Sequence, residues 1–148
     1  MMTEEQALSK LAAACSRSEH CSGEMAEKLR RWGFDKTVQA RLLAYLVEYR
    51  YIDDRRYAEI FVREKMRFNH WGPRKIEQAL WTKHVEEATY RPVLDAVSRE
   101  EWADILRPLL KSKQKTIKAE NPYEQKMKLM KFAAGRGFTM DIIDMALE

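Results

Sequence analysis

Ile76-Glu-Gln-Ala-Leu80-Trp-Thr-Lys-His-Val85 places two apolar residues four apart, a break at His84, and a further apolar residue that opens a new segment. Residues four apart share one face of a helix, so the stretch reads as helix, turn, helix. The same spacing recurs at Met25, Leu29 and Phe34 and at Leu129, Ala133 and Phe138, with offsets of 51 and 53 residues and breaks at Gly33 and Gly137. A further helix precedes each pair. Its apolar residues are Leu8, Leu11, Ala12 and Cys15 in the first copy, Ala58, Phe61, Val62 and Met66 in the second, and Ile105, Leu106, Leu109 and Leu110 in the third. All keep the i, i+3, i+4 spacing of one helical face.

The pattern predicts an all-α chain of three tandem three-helix, helix-turn-helix-like repeats at 1–50, 51–98 and 99–148. The third repeat includes a basic linker at 111–121. A unit of about fifty residues buries little surface alone, so the repeats are expected to stack as an elongated, curved array. Composition agrees: 45% of the 148 residues are apolar, and five Gly and four Pro leave few breakers for a chain rich in helix formers. No run is apolar and long enough to span a bilayer and the first residues show no export signal, so a cytoplasmic location is expected. Cys15 and Cys21 read as reduced, small core residues.

Several helix ends follow from side-chain chemistry. Ser22 is the expected cap of the Met25 helix and Asp53 or Asp54 that of the Phe61 helix, because their oxygens accept otherwise unpaired N–H groups. Gly33 and Gly137 suit the left-handed position after a helix. Trp71-Gly72-Pro73 and Asn121-Pro122 mark sharp starts, since proline in the first turn forfeits no hydrogen bond. Pro92 falls where the first copy has helix interior, so that helix should begin late, near 89–91, or kink. The segment 111–120 lacks an apolar stripe and reads as a frayed helix extension or a loop.

Positive charge is unevenly spread. The formal net charge is +4, yet 63–83 alone carries six bases and two acids, and 111–136 eight bases and two acids, with an acidic break at 86–104 between them. Arg56, Arg63 and Arg67 fall on one helical face, although Glu59, four residues before Arg63, can hold it in an intrahelical pair worth about 0.3–0.5 kcal/mol. Arg74, Lys75 and Lys83 flank the next helix and can donate to phosphate, with backbone N–H groups at its start assisting. Lys65, Lys111, Lys113, Lys115, Lys128, Lys131 and Arg136 complete the candidate nucleic-acid or partner contacts. Trp32, Trp71, Trp81 and Trp102 invite base stacking but read better as packing residues.

The stretch Tyr51-Ile-Asp-Asp-Arg-Arg-Tyr-Ala-Glu-Ile-Phe-Val-Arg-Glu-Lys-Met-Arg67, followed by Gly72-Pro-Arg-Lys-Ile76 and Leu80-Trp-Thr-Lys-His-Val85, resembles the central signature of the RecX family. Cys21-Ser-Gly-Glu-Met-Ala-Glu-Lys-Leu29 and Lys128-Leu-Met-Lys-Phe-Ala-Ala-Gly-Arg-Gly-Phe138 extend the likeness over nearly the whole chain. His84 stands where the family pattern has Gly, and Ala133 where the third repeat usually has a larger residue. Tyr51, Ile52, Asp53, Asp54, Tyr57, Ala58, Gly72, Pro73, Ile76 and Leu80 carry the signature, and packing with a helix cap accounts for them as structural residues.

The resemblance implies binding to the RecA recombinase, to its nucleoprotein filament and to single- and double-stranded DNA with low sequence specificity. It further implies suppression of filament growth, ATP turnover and strand exchange in recombination and DNA repair. The protein is expected to act as a monomer, without enzymatic activity, cofactor, metal or membrane. The chain has no GxxxxGK[ST], HExxH or GxSxG motif, and Cys15, His20 and Cys21 have no fourth ligand at a standard zinc spacing. The alternative is a helix-turn-helix transcriptional regulator, which requires a helix whose start displays base-reading side chains and a dimer symmetry.

Overall fold

The computed structural model describes residues 1–148, and they form nine α-helices and no strand. In order these are α1 (Glu4–Arg17), α2 (Ser22–Arg31), α3 (Lys36–Glu48), α4 (Asp54–Arg67), α5 (Pro73–Thr82), α6 (Glu87–Asp95), α7 (Arg99–Gln114), α8 (Pro122–Gly135) and α9 (Met140–Leu147). No helix is long and apolar enough to cross a membrane.

The repeated apolar spacing has a concrete cause in how α2, α5 and α8 end. Gly33 N–H donates to the Arg30 carbonyl and Phe34 N–H to that of Leu29; His84 and Val85 do the same to Trp81 and Leu80, and Gly137 and Phe138 to Ala134 and Ala133. These paired bonds are the Schellman helix stop, which brings the third-last helical residue toward the second residue past the cap. Leu29 and Phe34, Leu80 and Val85, and Ala133 and Phe138 are those two positions. The stop needs a left-handed residue, and Gly33 (φ 90°), His84 (φ 61°) and Gly137 (φ 96°) supply it. Histidine therefore takes the glycine conformation without altering the hydrogen bonding of the turn.

Two compact units are present. The first comprises Met1–Glu59 with Leu80–Tyr90, and the second Ile60–Ala79 with Arg91–Glu148. In the first, α3 packs on α1 and α2, and Ala7, Leu11, Met25, Leu29, Leu42, Leu46 and Ile52 form a buried cluster. In the second, α7 packs on α8 and α9. Its buried stripe is Trp102, Ala103, Leu106 and Leu110, whereas Ile105 and Leu109 lie half-buried at its margin.

Each unit contains a close backbone joint that only glycine permits. In the first, a Cβ on Gly23 would lie 2.0 Å from the Lys83 carbonyl oxygen, so the start of α2 sits directly on the α5–α6 turn. In the second, a Cβ on Gly72 would lie 2.4 Å from the backbone of Gly137 and Phe138, so the start of α5 sits on the α8–α9 turn. Gly72 N–H donates to Arg136 (2.8 Å) and Arg74 N–H to Gly137 (2.9 Å), which locks the second joint.

Some helix ends differ from the sequence expectation. Cys21, not Ser22, caps α2: Glu24 reaches back to the Cys21 N–H (3.1 Å), while the Ser22 N–H is taken by Asp54 at 2.8 Å. Asp53 caps α4 through Arg56 N–H (3.0 Å), so the two aspartates divide the work. Helix α6 does not wait for Pro92 but starts at Glu87 and carries the proline inside. The Tyr90 N–H already reaches the Glu86 carbonyl, so the first turn is closed before the missing donor is felt. The basic linker resolves into two parts, with 111–114 completing α7 and the chain leaving helix after Lys115.

Candidate nucleic-acid interface

The joint at Gly72 organises a set of cations over aromatic rings. Trp71, half-buried just before α5, has the Lys65 ammonium 5.1 Å and the Lys75 ammonium 4.9 Å from its ring centre. Lys65 is also 5.4 Å from the Phe61 ring. Across the joint, Phe132 on α8 has the Lys113 ammonium at 5.2 Å and the Arg136 guanidinium at 5.5 Å. Arg136 also donates to the Asn69 carbonyl at 3.2 Å, which fixes it beside the α4–α5 loop. A ring face attracts a cation by about 0.5–1 kcal/mol at exposed sites and leaves its charge unneutralised. Arg67 and Arg74 are exposed and form no ion pair. The second unit thus holds a compact group of bases whose positive charge is still available to an anion.

Other basic candidates are already neutralised. Arg56 pairs with Glu19 at 2.8 Å, Lys83 with Glu24 at 3.3 Å, Arg63 with Glu101 at 3.0 Å and Lys128 with Glu124 at 3.0 Å. The pair expected between Glu59 and Arg63 does not form, because Glu59 takes Arg55 at 2.9 Å. Lys111, Lys115 and Lys131 are exposed. Of the backbone donors at the start of α5, the Gly72 and Arg74 N–H groups are spent on the joint.

Around Lys83 the electrostatics are those of a structural contact. Burial alone would raise Glu24, but the Cys21 N–H and the Lys83 ammonium outweigh it and hold its carboxyl below the ordinary value. Burial pushes the Cys21 thiol up to about 11, so it stays protonated, and its Sγ faces the Lys83 carbonyl at 3.6 Å. No group of three or more His, Cys, Asp or Glu side chains comes together in a way that could hold a metal ion.

The signature residues form a framework beneath these groups. Ile52, Tyr57, Ala58, Ile76 and Leu80 are buried, Tyr51 is half-buried, and Gly72 with Pro73 makes the joint. Of the tryptophans, Trp102 is buried and Trp32 and Trp71 are half-buried, but Trp81 is 70% exposed, against the packing role expected of it. Two aromatic residues went unmarked in the sequence: Phe132, the platform for Lys113 and Arg136, and Phe68, which is 77% exposed.

Of the helices that follow the turns, α6 and α9 are poor base readers. Helix α6 carries a single base, Arg91, which pairs with Glu77, and α9 carries none.

Comparison with known proteins places the chain among relatives of one kind. Residues 53–94 match the family description "RecX, second three-helix domain", and residues 99–147 match "RecX, third three-helix domain". "Regulatory protein RecX" of Vibrio campbellii is 32% identical over 135 residues, covering 89% of this chain and 83% of the relative. The protein of the same name from Bacillus cytotoxicus is 28% identical over 125 residues, and the aligned region covers 84% of this chain but 46% of that longer protein. The chain thus spans about half the length of some relatives. Among solved structures, a regulatory protein RecX superposes with a TM-score of 0.88 at 20% identity over 97% of this chain and 72% of the other. RecX from Lactobacillus salivarius gives 0.85 at 21% identity, over 97% and 96%. These structures share the helical fold.

Proposed function

This chain belongs to the RecX family of regulatory proteins, and from that premise we propose that it binds the RecA recombinase and its nucleoprotein filament and restrains filament extension, ATP turnover and strand exchange. It acts by occupying a surface, with no catalysis of its own, in the cytoplasm. The bases of the second unit meet DNA phosphate and acidic RecA surface.

The observation that carries the contact is the group Lys65, Arg67, Arg74, Lys75, Lys113 and Arg136, which sits on aromatic rings or in solvent with no carboxylate partner. Bases of this kind release counterions on meeting phosphate and so bind the backbone of either single- or double-stranded DNA. Sequence reading needs base-edge donors displayed at a helix start in the major groove. Helix α9 carries no base, the single base of α6 is paired with Glu77, and Arg41 near the start of α3 is paired with Glu4, which favours a sequence-tolerant regulator over a transcription factor.

The direct test is RecA's DNA-dependent ATPase rate with this protein added at substoichiometric and then saturating amounts. A falling rate is the expected result. An unchanged rate at saturation rejects the proposal.

A further inference from the structure

Phe68 is an apolar ring in an unusual setting. It lies one residue past the end of α4, 77% exposed, on a loop that is held at both flanks. Its N–H donates to Glu64 (2.8 Å), the Trp71 N–H donates to Lys65 (3.1 Å), and the Asn69 carbonyl accepts from Arg136 (3.2 Å). His70, between them, takes a left-handed φ of 54°, a conformation that a side chain adopts at a cost and keeps only where its surroundings enforce it. A fixed loop therefore holds the ring out of the core.

Its neighbours distinguish Phe68 from most other exposed aromatics. Lys83, close to Trp81 in sequence, is paired with Glu24; near Tyr123, Lys128 is paired with Glu124, while Lys126 keeps its charge but lies on regular helix and not on a fixed loop. Tyr49 packs against the Tyr45 ring. Phe68 instead has Arg67 beside it and Arg74, Lys65 and Lys75 close by in chain, none of them bound to a carboxylate. Glu64 is the single acid on that turn of α4.

A phenyl ring offers no hydrogen bond, only a face and an edge, and the unneutralised cations close to it in the chain call for an anion. A flat, π-faced group carried on a phosphate chain meets both demands at once. Resting on the nucleic-acid contact proposed above, we infer that Phe68 stacks against an unpaired base of a single strand whose phosphates lie on Arg67, Arg74, Lys65 and Lys75. Duplex bases are already stacked on one another and present no free face. Phe68 therefore gives this surface a preference for single strands, which the bases alone cannot supply.

The test uses the full chain and fluorescence anisotropy with three probes of equal length: an oligothymidine strand, a duplex, and an abasic deoxyribose-phosphate strand. Phe68→Ala should weaken oligothymidine binding about tenfold, the scale of one base stacked on one ring, and leave duplex and abasic binding unchanged. Phe68→Trp should restore the oligothymidine affinity, and circular dichroism should show unchanged helicity in both variants.

Oligothymidine binding by Phe68→Ala equal to the parent overturns the inference while leaving the phosphate contact standing. An equal loss on all three probes overturns it as well, because it reports a distorted loop or lost charge. If Phe68→Ala binds every probe normally yet no longer lowers the RecA ATPase rate, the ring meets protein, and the stacking assignment fails. If the parent protein binds none of the probes, both the stacking and the nucleic-acid contact beneath it are rejected.

Discussion

Gly23 against the Lys83 carbonyl and Gly72 against Gly137 are the same construction, the start of one helix pressed onto the Schellman turn of another, yet the two joints carry different side chains. At the first, the turn's base is Lys83 and the approaching helix supplies Glu24, so the charge is cancelled where it arises. At the second, the turn's base is Arg136 and the approaching segment supplies Trp71, whose ring holds Lys65 and Lys75 without cancelling them. A carboxylate makes the first joint a structural contact. Aromatic rings make the second a charged surface. The backbone is thus reused, and the choice of acid or ring beside it decides whether a base is available to a ligand.

The comparison breaks most severely at the glycines. Gly137→Ala places a Cβ 2.5 Å from that of Lys75 while keeping a φ of 96°. The overpacking and left-handed penalties together should cost about 4 kcal/mol in urea unfolding. Gly33→Ala, at a φ of 90° with nothing within 4 Å, suffers only the second penalty and should cost about 1 kcal/mol. Equal losses at the two sites would mean that the second joint yields where its backbone contacts say it cannot.

The charges give the next effect. Replacing Arg67, Arg74 and Lys75 together by Ala should flatten the slope of log affinity for single strands against log salt by about 2, because roughly 0.7 counterion is released per phosphate contact. Arg56→Ala with Lys83→Ala should leave that slope unchanged, since Glu19 and Glu24 already occupy those bases. A matching change in both variants would erase the distinction between the joints.

A smaller effect sharpens it. Glu24 is held below its ordinary value of 4.5, so its interaction with Lys83 contributes stability above the carboxylate range and loses it as pH falls through the lowered folded value. Lys83→Met removes the partner and lets Glu24 rise. The part-exposed pair is worth about 0.5–1 kcal/mol, so the variant's deficit in urea midpoint should be present at neutral pH and vanish once Glu24 is protonated. A deficit that persists in acid would assign the loss to packing.

The helical phasing and its turns were open to reading because both are written locally: a Schellman stop fixes two apolar residues five apart, and a left-handed residue marks the fourth of those five steps. The cap at Cys21 was hidden because it rests on a backbone N–H and Glu24, while Ser22, the better capping residue by type, is engaged by Asp54 from 32 positions away. Pro92 misled because an early turn that closes at Tyr90 makes one absent donor tolerable. The candidate site was legible as a surplus of charge and no further. Whether a base is free depends on carboxylates 37, 38 and 59 positions distant, for Arg56, Arg63 and Lys83 respectively, and no local pattern carries that information. Phe68 was concealed in the opposite way. It keeps the apolar phase of α4, seven residues after Phe61, but falls one residue beyond the helix, where the phase no longer points to the core.

An effect of similar size concerns the residue that links the two joints by difference, His84 in the place of Gly137. Its φ of 61° is one that glycine adopts freely. His84→Gly relieves that penalty at the expense of a more flexible unfolded chain, and the net gain should be about 0.5–1 kcal/mol, read as a higher urea midpoint with an unchanged slope. The same variant separates two causes of tightness at the first joint. A Cβ added at Gly23 meets His84 Cβ at 3.0 Å but the Lys83 carbonyl at 2.0 Å. Removing the histidine side chain therefore leaves the shorter contact in place, and Gly23→Ala should remain as destabilising in the His84→Gly background as alone. Rescue of Gly23→Ala by His84→Gly would instead make the side chain, and not the backbone, the surface that the first joint closes upon.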